Sequence, residues 1–101
     1  MDFDYLKEHI CEELDGAKEY ASRAIELKPM AANWSKMLIE MAAAELNHAN
    51  YLHKMLVEYY QKISATYSEV PDYIEESYKE TCRCYTSNAA EAKYMIDMYA
   101  K

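Results

Sequence analysis

The chain has 101 residues, enough for one domain with one modest core, and a formal net charge of −7. That acidity, with no basic helix face, argues against nucleic acid and favours cations as partners. No stretch reaches the apolar length of a membrane span, and the acids Asp2, Asp4 and Glu8 leave no signal-peptide run at the start, so the expectation is a cytoplasmic protein.

One glycine, two prolines and an abundance of Ala, Glu, Met, Lys and Leu predict an all-α fold in a single domain, residues 1–101. The first helix is expected over about residues 3–27. Leu6, Ile10, Glu13, Ala17, Tyr20 or Ala21, and Ala24 fall on one stripe at helical spacing, and Asp2 or Asp4 can cap its start. The Lys28-Pro29 step ends it, with Pro29 setting the first turn of the next helix.

The second helix is expected over 30–64. Trp34, Leu38, Met41, Glu45, His48, Leu52, Met55, Tyr59 and Lys62 or Ile63 alternate steps of four and three, the pattern of a heptad seam. At a rise of about 1.5 Å per residue this rod is roughly 50 Å long and needs partners along its length. Ala65 to Val70 reads as a connection, and Pro71 opens a third helix over 71–100 whose stripe is Ile74, Tyr78, Thr81, Tyr85, Asn88, Ala92, Met95 or Ile96, and Tyr99.

Three polar residues stand at positions of these stripes where apolar ones belong. Glu13 lies between Ile10 and Ala17, and Glu45 and His48 lie between Met41 and Leu52. An unpaired carboxylate in a core costs several kcal/mol, so these groups require a partner, and a metal ion is one. The Glu-x-x-His spacing puts Glu45 and His48 one turn apart on one face, where both can converge on a single cation. Carboxylate oxygens with neutral imidazole suit iron, manganese or zinc.

Glu13, Ala17 and Tyr20 at their spacing, with the run Glu-Leu-Asn-His-Ala-Asn-Tyr-Leu-His from Glu45, resemble the ferritin and rubrerythrin superfamily, most closely its small rubrerythrin-like members. The likeness covers roughly residues 4–60, and Ala89-Ala90-Glu91-Ala92-Lys93 is similar to the last helix of those small relatives. The resemblance implies a ferritin-like long helical hairpin plus a third long helix. It also implies a carboxylate-bridged di-iron or di-manganese site for peroxide reduction, or for ferrous iron oxidation and storage. By position, Glu13 is then the first-helix carboxylate, Glu45 the bridging carboxylate and His48 the imidazole ligand, with Tyr20 bonding around them.

Family members supply a second Glu and a second Glu-x-x-His from two further helices, and this sequence has no other Glu-x-x-His. Two completions are expected: a homodimer or higher homo-oligomer that doubles every ligand, which is preferred, or a degenerate site using Glu91 and Glu76 from the third helix. Without a rubredoxin-like Cys-x-x-Cys pair, a rubrerythrin cycle lacks its usual electron feed.

The remaining candidates read as structural. His53 is five residues past His48 and points away from it, His9 sits near a helix end, and Glu12 and Glu76 read as solvated charges. Met37, Met41, Met55, Met95 and Met98 read as core filling rather than soft-metal ligands. Eleven tyrosines suggest helix contacts and an oligomer surface. Cys11, Cys82 and Cys84 are odd in number, and Cys-x-Cys is a poor disulfide or tetrahedral zinc geometry. The rival to a metalloprotein is a non-enzymatic helical interaction protein with a vestigial site, in which Glu13, Glu45 and His48 only hydrogen-bond one another and the third helix is the working surface.

Overall fold

A computed structural model describes residues 2–101. It consists of α1 (Phe3–Leu27), α2 (Ala32–Thr66) and α3 (Asp72–Ala100), with no strand among the described residues. The molecule is a rod of 57 × 21 × 16 Å, close to the length of α2 alone.

Asp2 is the cap of α1, its carboxylate accepting the Tyr5 backbone N–H at 2.8 Å. α1 ends where expected, but α2 begins at Ala32 rather than at residue 30. Met30 and Ala31 both donate backbone N–H groups to Leu27 O, so Pro29 lies in a turn that closes α1 instead of opening α2.

The chain runs up, down and up. Ser35 on α2 bonds to Ala24 on α1, while Phe3 packs its ring 6.1 Å from Tyr59, so α1 and α2 are antiparallel along their whole length. α3 runs parallel to α1: Lys7 bonds Ser77, Cys11 meets Cys84, Lys18 bonds Asn88, and Lys28 bonds the Tyr99 carbonyl while lying over its ring. Burial pushes the Cys11 thiol up from its ordinary value, with Cys84 adding to the effect.

The hairpin has two kinds of core. Near its connection, Ala17, Ala21 and Ala24 of α1 face Ser35 and Ala42 of α2, all fully buried. There the buried Ser35 hydroxyl donates to Ala24 O at 2.6 Å, which removes the cost of burying it. Toward the far end, Phe3, Leu6, Ile10 and Leu14 pack with Ala49 and Leu56, and each large side chain contributes about 1.5–3 kcal/mol by leaving water.

The α2 seam therefore differs from the expected one. Its buried line is Ser35, Ala42, Ala49 and Leu56, one residue per heptad. Trp34, Met41, His48 and Met55, at the same heptad spacing one position earlier, are exposed instead. Small residues let α1 approach closely, and the larger apolar groups beside them are displaced outward. On α1, Leu14 rather than Glu13 holds the core position, leaving Glu13 at its edge. The α3 stripe lies where its periodicity predicts, with Thr81 and Ala92 buried and the rest half-buried. α3 packs through stacked pairs, His53 on Tyr85 and Tyr60 on Tyr78, each 3.9 Å between ring centroids.

Candidate metal centre

Glu13 reaches across the hairpin to α2, where Glu45 and His48 stand one turn apart. One ligand atom from each of the three lies within 4.8 Å of the others, and this is the only such group among the described residues. The antiparallel pairing places Glu13 beside the Glu-x-x-His turn, and the helix repeat aims both α2 side chains back at it.

The cluster sits at the rim of the hairpin rather than in its core. The His48 side chain is 57% exposed and that of Glu13 21%. It opens away from α3: Glu13 is two residues from Cys11 and His48 two from Asn50, and both of those residues serve the α3 contact. Two helical positions are a rotation of about 200°, so the site faces the opposite side of the molecule.

The three side chains do not satisfy one another electrostatically. The Glu45 carboxyl is pushed up to about 7, first by its hydrogen bond with Glu13, then by burial and by the negative charge of Glu13, against the opposing pull of His48. Two carboxylates in contact cannot both ionise cheaply, and here it is Glu45 whose protonated form is favoured toward neutral pH. The second oxygen of Glu13 gains nothing from this arrangement. Oε2 is buried without a hydrogen-bond partner, and His48 Nδ1 stands 3.5 Å away without bonding it. A buried acceptor lacking a donor is well suited to a cation.

Gly16 completes the geometry. It is the chain's one glycine, one turn past Glu13 in the interior of α1. A methyl group there would stand 3.2 Å from Glu45 Oε2 and 3.5 Å from its Cδ. Glycine inside a helix costs about 1 kcal/mol relative to alanine, and here it leaves room for the carboxylate head. Helical periodicity alone passes over this residue, although a solitary glycine inside a helical stripe beside Glu13 is a signal that could have found it.

The other candidates fall elsewhere. Glu91 does not join the cluster: it is exposed on α3 and pairs with Lys18 at 3.6 Å. Glu76 is also exposed on α3, away from the cluster. Tyr20 is half-buried two turns along α1, and no hydrogen bond among the described residues ties it to the three. His9 packs its ring 4.2 Å from Tyr5 and lies 3.9 Å from Glu12. His53 takes no part in the cluster: stacking on Tyr85 buries its Nε2 without a hydrogen-bond partner, and that burial lowers its pKa. Cys82 and Cys84 diverge, one toward Tyr78 and the other toward Cys11, so they offer no joint metal site.

Beside the cluster, α2 carries an unpartnered apolar strip. Trp34, Met37 and Met41 are 67%, 59% and 44% exposed, and with Leu38 they line a groove that presents no polar surface. Met55, 45% exposed, continues the strip on the far side of His48. No protein-family description, curated protein or solved structure matches the chain.

Proposed function

We propose that the chain is a ferritin-like metal-binding protein, similar to small rubrerythrins, whose two-metal carboxylate site for iron or manganese is completed by a second copy. The carrying observation is the convergence of Glu13, Glu45 and His48 within 4.8 Å, with a buried Glu13 oxygen left unpartnered. Oxygen and imidazole donors in this ratio suit iron or manganese, and the space opposite Gly16 keeps the Glu45 head free to turn toward an ion.

The second copy is argued from the same face. The ligands lie in the middle of the strip from Trp34 to Met55, so a hairpin packed against that strip about a two-fold axis brings two ligand sets together. Four carboxylates and two imidazoles then surround the ions, the inventory of helical two-metal sites.

Bound iron or manganese would supply one-electron chemistry toward peroxide or dioxygen; in ferrous iron oxidation and storage, the iron is itself the substrate. The chain's residues prepare for that. The Glu45 carboxyl gives up its proton as a cation enters, Glu13 offers its unpartnered oxygen, and His48 gives one ring nitrogen.

A second reading, a non-enzymatic interaction protein with a vestigial site, is favoured by one observation. Protonation of Glu45, favoured toward neutral pH, already relieves its repulsion with Glu13 without any metal. Exposed Tyr73 and Tyr94 on α3 are then the contact surface.

Anaerobic addition of ferrous iron to metal-free protein, followed by elemental analysis and sedimentation, separates the two. The metal reading expects about one iron per chain in a dimer, and loss of that iron in Glu45→Ala with His48→Ala. No uptake by the unmutated protein would leave the interaction reading standing.

A further inference from the structure

Outside the carboxylate cluster, the structure joins two thiols that the sequence holds far apart. Cys11 Sγ and Cys84 Sγ are 3.9 Å from one another across the α1–α3 contact, 73 residues apart in the chain. Both side chains are half-buried, within reach of a small oxidant but screened from larger ones. A disulfide needs the sulfurs at about 2.05 Å, a gap that side-chain rotation and a small approach of two helices can close.

The surroundings distinguish the two sulfurs. Asn88 Nδ2 donates to Cys84 Sγ at 3.2 Å, and Lys18 Nζ donates to Asn88 Oδ1 at 2.6 Å. The lysine charge polarises the amide, which places an N–H donor on Cys84 sulfur. Cys11 has Cys84 as its sulfur neighbour. The third thiol, Cys82, turns toward Tyr78 and faces neither.

We propose that Cys84 and Cys11 are a two-electron redox pair that reacts with hydroperoxides and closes into a disulfide joining α3 to α1. The Cys84 thiolate attacks the distal peroxide oxygen, forming an S–O bond as the O–O bond breaks and the alcohol or water leaves with a proton. The resulting sulfenic acid is attacked by Cys11 sulfur. The S–S bond forms as the S–O bond breaks, and the hydroxyl departs as water with the Cys11 proton. Two thiols are thereby oxidised by two electrons, and one peroxide O–O bond is reduced. No metal takes part, so the pair stands apart from the carboxylate cluster.

The test uses the full chain, reduced, stripped of metal with a chelator, and treated with one equivalent of hydrogen peroxide. Free thiols are counted, and the protein is digested without reduction for peptide mapping. The expected result is a fall from three thiols to one in the unmutated protein and from two to none in Cys82→Ser. The mass drops by two hydrogens, a cross-linked peptide pair carries Cys11 and Cys84, and dithiothreitol restores both thiols. In Cys11→Ser a dimedone adduct accumulates on Cys84, and in Cys84→Ser Cys11 acquires none. Survival of all three thiols, first oxidation at Cys82, or disulfides only between chains overturns the proposal. The mapping on the unmutated protein decides the matter even if a variant fails to fold.

Discussion

Gly16 on α1 and Glu45 on α2 lie so close across the hairpin that an added methyl group would meet the carboxylate oxygen at 3.2 Å. The obstacle is the end of a flexible side chain, so the head group can yield by a few tenths of an ångström. Gly16→Ala should therefore stabilise the metal-free chain by up to about 1 kcal/mol through helix propensity. For a chain this size that is a rise of roughly 4–8 °C in melting temperature, measurable by calorimetry. The same substitution should weaken ferrous iron uptake, because the displaced carboxylate no longer lies over Glu13. Improved stability with undiminished uptake would remove Gly16 from the site.

The raised Glu45 carboxyl makes the metal-free protein's stability depend on pH. The Glu45 carboxyl titrates at about 7 in the folded chain against an ordinary value of 4.5. Between those values the folded state binds the extra proton, so stability falls as pH rises from about 4.5 to 7 and stays lower above it. With solvent screening at this rim position, the change is on the order of 1 kcal/mol. Glu45→Gln mimics the protonated form. Denaturant melts should show it more stable than the unmutated chain at pH 8 and nearly equal at pH 5.

Metal uptake should run the opposite way with pH. A cation must displace the Glu45 proton, so ferrous iron affinity is expected to weaken as pH falls below about 7, with proton release detectable in weakly buffered titrations. His48→Ala should abolish that uptake while shifting metal-free stability by less than about 0.5 kcal/mol, because the imidazole is mostly exposed. A large loss of stability would instead assign His48 a packing role.

Trp34 tests the second copy at a distance from the ligands. It lies fourteen residues from His48 along α2, roughly 20 Å at the helical rise, and is 67% exposed. Trp34→Lys should leave the helical content unchanged, shift the sedimenting species from two chains to one, and reduce iron retention without touching a ligand. A monomeric unmutated protein that binds iron fully would show that one copy suffices.

Much of this was legible in the sequence. Periodicity and Pro71 located three helices to within two residues, and the Glu-x-x-His turn with Glu13 named the residues that converge. The rotation of α2 was not legible. Trp34, Met41 and Met55 have the apolar bulk of a seam, yet the close contact is made by Ser35, Ala42 and Ala49, whose small size matters only once α1 presents its own alanines. Glu91 looked available because sequence does not reveal that Lys18 crosses from α1 to meet it. The approach of Cys11 to Cys84 depends on α3 running parallel to α1, which no local spacing encodes.

The change from alanine packing to leucine and aromatic packing along the hairpin gives the molecule a mechanical character. Helix axes separate according to the side chains between them, and the α1–α2 contact changes from small side chains at the connection to large ones at Phe3 and Tyr59. Glu13, Glu45 and His48 span the pair near the change from small to large packing residues. The alanines below them act as a fulcrum: a bulkier residue at Ala21 would pry the shafts apart and lengthen the reach between ligands while leaving every ligand in place. Selection on such small, buried positions can thereby tune the bite of the site without altering its chemistry.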